Sequence, residues 1–405
     1  MIVFAAVAYP ALLCFMHTHF FRVVTATVGT TEFLIYLACL IVLLRPVRVE
    51  FVVVATLVTA YLLLLSLFRG AVEIKSFRDV MIPILFYWLG RSVIDIGLAD
   101  KLLRVLIWVV LIFGFFELFF LDWYSYLLNI FSYYHSQGIN TLSTNFVSDS
   151  ALNVNGMRPD GIGRTILPDL LGRHRVSSIF LEPVSLGNFA TIVAAWGLAK
   201  SREEWKSAAF FVVAGIVMIS LSDSRYGIGA VSLMALLRAV PTRWLKLPVS
   251  LMPLVCISAL LLFAVTFNGP YTDSVFGRLY MSGKSLLGLD ASMLFGISST
   301  LRFFYDMGYP YTLTRFGLLL AVFLWFAIWM VKMRDENGER FRIFVAIYIT
   351  LLLSVSGTSL FALKSAGILW FLFGSCAATI SRQSSPTLAS ESPVRPLSMR
   401  MRHAT

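Results

Sequence analysis

The densest concentration of reactive side chains stands in one stretch, Arg173-His174-Arg175-Val176-Ser177-Ser178-Ile179-Phe180-Leu181-Glu182-Pro183. Two arginines and a histidine come first, a Glu-Pro pair follows, and then an apolar run. Proline is tolerated at the first helical position, where its missing N–H is no loss, and it pushes the preceding residue out of the helical region. The stretch therefore predicts a helix from near Pro183 with Glu182 at its mouth. A helix N-terminus beside guanidinium groups attracts anions, phosphates above all, and arginine can grip phosphate oxygens bidentately. Arg173, His174 and Arg175 thus read as a phosphate clamp; snorkelling to lipid headgroups is the plainer alternative. Glu182 has three readings: it orients Arg175, it acts as general base on an acceptor hydroxyl, or it satisfies backbone N–H groups at the helix mouth.

A second group lies in Leu221-Ser222-Asp223-Ser224-Arg225-Tyr226-Gly227, a polar turn between two short apolar runs. Ser and Asp there suit helix caps. Arg225 is either paired locally with Asp223 or a second arm of the clamp. Arg302, Asp306 and Arg315 gather around Tyr305-Asp306-Met307-Gly308-Tyr309-Pro310-Tyr311. They are either solvated loop charges or part of the site, since a span starts beside them. Lys364 lies near the outer end of the last apolar run; it snorkels or reaches the cavity. Arg69 and Arg78 are candidates of the same kind, because ionisable groups at or within a membrane are expensive and by default mark a site or pathway. Several motifs are missing: a P-loop, a dinucleotide glycine pattern, HExxH, and an acidic pair suited to a metal-bound sugar nucleotide. A metal or nucleotide cofactor is not indicated.

The surrounding chain supplies the elements that would position these groups. Of its 405 residues, 58% are hydrophobic and 14% charged, with a mean hydropathy of +0.82. Soluble domains carry about 25% charged residues, so the deficit points to lipid. Runs of roughly 18 or more apolar residues point the same way. Twelve spans are expected, near 2–16, 26–44, 51–68, 80–96, 103–121, 179–198, 208–221, 226–240, 248–267, 313–331, 342–357 and 360–380. The first lacks a charged leader and a cleavage site and reads as a retained span. The expectation is an all-α polytopic bundle: spans in 1–121, an outer loop over 122–175, central spans with the arginine motifs in 176–267, a second outer loop over 268–312, spans in 313–380, and a Ser/Pro-rich tail over 381–405. The net charge of +11 reads as cytoplasmic loop charge that sets topology, with both termini inside, rather than as a nucleic-acid footprint. Residues 69–79 resist this pattern, being outer yet holding Arg69, Lys75 and Arg78. The aromatic residues Trp123, Tyr124, Tyr126, Phe131, Tyr133 and Tyr134 read as an interfacial belt, or alternatively as a platform for sugar rings. Cys14, Cys39, Cys256 and Cys376 all lie in apolar runs without metal-ligand spacing, which argues against disulfides and structural metal.

Three patches carry a resemblance. Arg175 to Pro183, with Leu186-Gly187-Asn188, resembles the "R-x-S-G-x-F-x-N/E-P … lg" signature of the O-antigen ligase and polymerase superfamily. Ser222 to Gly227 resembles its "t-x-S-R-g" turn, and Tyr305 to Tyr309 with Leu313 to Leu319 is similar to the region that ends its large outer loop. The Glu-Pro form looks most like Wzy-type exopolysaccharide polymerases of the xanthan-polymerase kind. The resemblance implies a GT-C-like glycosyltransferase of the bacterial inner membrane that needs no metal. It would move a growing glycan from undecaprenyl pyrophosphate onto the next lipid-linked repeat unit at the periplasmic face. Arg175 and Arg225 would neutralise the leaving pyrophosphate, with Glu182 or Asp306 attending the acceptor hydroxyl; Arg173, His174, Arg302 and Arg315 would bind substrate. A chain-length co-polymerase and a flippase would be partners. The late outer loop lacks the histidine carried by ligases of the superfamily, which favours a polymerase over a ligase. The rival from another class is a transporter or flippase of lipid-linked oligosaccharide.

Overall fold

A computed structural model describes residues 1–45, 49–93, 95–138, 151–152, 156, 164–267, 275–299, 307–355 and 358–377. Their secondary structure is helical, apart from an isolated bridge between Met333 and Ala377. The helices are α1 (Ile2–His19), α2 (Thr25–Leu44), α3 (Val49–Arg69), α4 (Ile74–Arg91), α5 (Ile96–Phe119), α6 (Leu121–Leu127), α7 (Ile130–His135), α8 (Pro168–Leu171), α9 (Pro183–Ala199), α10 (Trp205–Ser222), α11 (Arg225–Leu237), α12 (Thr242–Thr266), α13 (Val275–Leu287), α14 (Ala291–Leu294), α15 (Gly308–Met330), α16 (Glu336–Val355) and α17 (Leu363–Ser375). Short 3-10 turns occupy Ser178–Phe180 and Thr358–Phe361.

Seven of these helices, α1, α2, α3, α5, α10, α12 and α15, are long and apolar enough to cross a membrane. Each of the other five apolar runs read from the sequence also holds a helix. α9, α11 and α17 are apolar but shorter. α4 and α16 begin with charged residues that the runs had left outside.

α9 is the axis of the bundle. Every residue from Ser185 to Ala199 is buried, against α10, α11, α16 and α17. Small residues allow this. A Cβ on Gly215 would come within 2.8 Å of the Ala194 Cβ, and one on Gly187 within 2.5 Å of the Ser224 Oγ. With lipid as solvent, helices associate through such close packing rather than through the hydrophobic effect. α2, α3 and α12 instead present exposed leucines and valines such as Leu57, Leu254 and Leu262, the pattern of helices facing lipid.

Candidate functional site

The loop before α9 and the turn before α11 are bound together. The Val176 N–H donates to the Leu221 carbonyl at 3.0 Å, and Arg175 Nε donates to the Ser222 carbonyl at 3.0 Å. Ser224 caps α11 by accepting from the Gly227 N–H at 3.1 Å. Asp223 takes a left-handed conformation, φ 50°, and its Oδ1 accepts from the N–H groups of Thr165 and Ile166 at 3.0 and 2.9 Å. Asp223 therefore does not serve as a simple ion-pair partner for Arg225; it anchors the segment at 165–166. Arg225 Nε donates to Thr165 Oγ1 at 2.7 Å. Arg173 is exposed. Neither Arg173 nor Arg225 forms an ion pair among the described residues.

Beneath this rim lies Arg164, a residue the sequence reading passed over. It is buried and donates to the carbonyls of Ile166 (3.0 Å), His174 (2.6 Å), Leu221 (2.8 Å) and Ser220. It fixes the path of the loop that delivers Arg173 and Arg175. His174 is turned inward. Burial first, and the Arg164 guanidinium second, push its imidazole down to about 4. The ring is neutral at pH 7, so His174 adds no positive charge beside Arg173 and Arg175. Its Nε2 is buried with no hydrogen-bond partner among the described residues.

Glu182 sits where expected, as the extended residue before α9, with φ −152° and ψ 121°. Its side chain makes no helix cap. Instead Oε2 accepts from Ser185 Oγ at 2.7 Å and from Lys364 Nζ at 3.1 Å. Lys364 donates also to the Phe180 carbonyl at 2.9 Å. So α17 supplies a cation to the helix mouth, and the helix-capping reading of Glu182 gives way to an ion pair.

A second overlooked residue, the acid Glu117, is fully buried near the end of α5. Its carboxylate accepts from the N–H of Ser177 at 2.9 Å and from that of Ser178 at 2.6 Å. Tyr124 OH donates to the Ser178 carbonyl at 2.7 Å. These bonds hold a tight turn in which Ser178 and Leu181 both have positive φ, 50° and 59°. Non-glycine residues in that region cost about 1–3 kcal/mol each and tend to cluster at functional sites. Both acids of this kind, Glu117 in α5 and Glu32 in α2, were findable as lone charges in apolar runs.

The aromatic segment divides. Tyr124 and Tyr133 are buried under the loop with Leu13, Val23 and Leu181, whereas Trp123 and Tyr126 are 66% and 67% exposed. Tyr134 is close enough to Glu182 to feel its charge.

Arg315 belongs to a different group. It pairs with Glu73 and lies 5.5 Å from the Tyr311 ring. Arg69 is buried alongside, donating to the carbonyls of Thr314 (3.0 Å) and Arg315 (2.8 Å). Those carbonyls are released because α15 breaks at Gly317, φ 70°; Tyr61 OH takes the Phe316 carbonyl at 3.2 Å. Arg78 pairs with Asp79 at 2.8 Å and Glu32 at 3.6 Å, and Tyr311 OH donates to Asp79 at 2.6 Å. Arg69, Glu73, Arg78 and Asp79 are thus joined in an internal network. Arg302 and Asp306 lie outside the described residues. Among the described residues no three His, Cys, Asp or Glu side chains gather as a metal site.

The class that this architecture fits is the multi-pass helical membrane protein, with a basic, partly buried polar centre at one end of its bundle. No family model matches the chain, and neither a curated protein nor a solved structure matches it.

Proposed function

We propose that the chain is an inner-membrane polysaccharide polymerase, a metal-independent glycosyltransferase acting on lipid-linked oligosaccharide. The observation that carries the reading is the joining of the two arginine motifs. Arg175 and the turn of Arg225 are 50 residues apart in sequence and meet through the Arg175–Ser222 and Val176–Leu221 bonds. Two arginine-bearing segments joined beside a helix mouth suit a pyrophosphate better than a neutral sugar.

In the proposed reaction an acceptor hydroxyl oxygen attacks the anomeric carbon of the donor glycan. The bond from that carbon to the pyrophosphate oxygen breaks, and the electron pair leaves with the lipid pyrophosphate. Arg175 and Arg225, with Arg173 at the rim, stabilise the negative charge that develops there. The hydroxyl proton passes to a carboxylate. Glu182 is held by Lys364, which favours the charged form and makes it a weak base; it is therefore assigned to orienting Arg175 and the acceptor, with Asp306 left as the proton acceptor. The accompanying topology is twelve spans, both termini cytoplasmic and the arginine centre periplasmic.

The test is a glycan profile with lipid-linked sugars resolved by length, in a host lacking the gene. Single repeat units on the lipid with no long chains are expected. Long chains stranded on lipid would instead identify a ligase. Units confined to the inner leaflet would identify a transporter and turn the arginines into binding residues only.

A further inference from the structure

A hollow of about 560 Å³ lies at the opposite end of the bundle, where α9 and α11 end and α16 begins. α9 spans 17 residues between the two ends, or about 25 Å at the helical rise of 1.5 Å per residue. The hollow is lined by Lys200, Arg202, Arg238 and Arg340, with Glu336 as the carboxylate among its lining residues.

The charges there are unevenly compensated. Lys200 is held by Asp100 at 2.8 Å and Glu204 at 3.2 Å. Arg340 reaches Glu336 at 3.2 Å and donates to the Arg238 carbonyl at 3.0 Å. Arg238 spends its guanidinium on the carbonyls of Leu198 (2.7 Å) and Lys200 (3.1 Å), capping α9. Carbonyls satisfy its N–H groups but leave its charge without a carboxylate partner among the described residues. Arg202 is exposed and forms no ion pair among them. Arg202 and Arg340 both repel Arg238. Charge that merely sets topology can be spread over several loops; here it converges from three helix ends on one concave space.

We propose that this hollow is a binding site for a phosphate-bearing anion, with Arg202 and Arg340 as its donors and the charge of Arg238, whose N–H groups are held by carbonyls, beside them. Guanidinium forks suit phosphate oxygens. Basic pockets between membrane helices take acidic lipid headgroups in this way, and a free phosphate compound offers the same oxygens. The site is separate from the Arg175 centre, so it stands or falls independently of the polymerase reading.

The experiment is thermal unfolding of the purified chain in neutral detergent. The probes are inorganic pyrophosphate, phosphatidylglycerol and phosphatidylcholine. A midpoint raised by phosphatidylglycerol alone assigns a headgroup; one raised by pyrophosphate as well assigns a free phosphate compound. Arg202→Gln with Arg340→Gln should abolish the rise with phosphatidylglycerol and that part of the pyrophosphate rise which survives Arg175→Ala, the variant that removes binding at the other end of the bundle. Arg202→Gln by itself breaks no bond within the fold and should weaken binding at least threefold. No rise with either anion, a rise of equal size with phosphatidylcholine, or an unchanged rise in Arg202→Gln would overturn the proposal.

Discussion

Arg175 is where two distant segments of chain meet, and its chemistry is tied to how it is held. Nε is used on the Ser222 carbonyl, which orients the outer nitrogens of the fork. Arg175→Ala or Arg225→Ala should abolish high-molecular-weight polymer while the protein still inserts. Arg175→Lys should fail as well, because an ammonium cannot reproduce bidentate contact. Full-length polymer in both alanine variants would remove the site assignment. His174 gives a pH prediction. Its folded value is about 4 against roughly 6.5 for an unperturbed imidazole. Between those limits the unfolded chain binds the extra proton, so stability falls as pH drops from about 6.5 toward 4. The unfolding midpoint in detergent should decline over that window, and His174→Gln should flatten part of the decline. An identical slope in the variant would mean that other groups set it.

At the scale of elements, the tight turn at 177–182 depends on α5 as much as on its own residues. Glu117→Ala removes the acceptor for two buried N–H groups. An unsatisfied buried group costs about 1–3 kcal/mol, so the variant should unfold at lower temperature and lose polymer together. A Glu117→Ala protein with wild-type midpoint would show that the turn holds without it. The approach of α9 to α11 makes a parallel case. Gly187→Val would drive its side chain into Ser224, an overpacking that typically costs about 1–3 kcal/mol. Partial rescue by Ser224→Gly would identify the clash as the cause. Gly317 acts differently: its φ of 70° breaks α15 and frees carbonyls that Arg69 and Tyr61 collect.

For the whole molecule, the two ends of the bundle carry separate basic centres, one around Arg175 and one around Arg238, joined by the buried axis of α9. The proposed topology puts them on opposite sides of the membrane. Single cysteines introduced by Arg173→Cys and Arg202→Cys in a cysteine-free background test this with an impermeant thiol reagent. Arg173→Cys should label in intact cells and Arg202→Cys only after permeabilisation; the reverse result would invert the orientation and place the proposed reaction on the wrong face.

By itself the sequence determined the helical class, the positions of the apolar runs, the start of α9 at Pro183 and the two arginine motifs. These follow from local composition and from the restriction proline places on its neighbours. It could not decide which charges are partners. Glu182 with Lys364, Glu117 with the backbone of Ser177, and Arg315 with Glu73 join residues 182, 60 and 242 positions apart. Such pairs depend on how helices pack side by side, and in lipid that packing is set by small residues such as Gly187 rather than by hydropathy. Local pattern therefore placed the arginines at one end of the bundle; tertiary packing decided that Arg175 would meet Ser222, that His174 would be buried and neutral, and that Arg164 would hold them there.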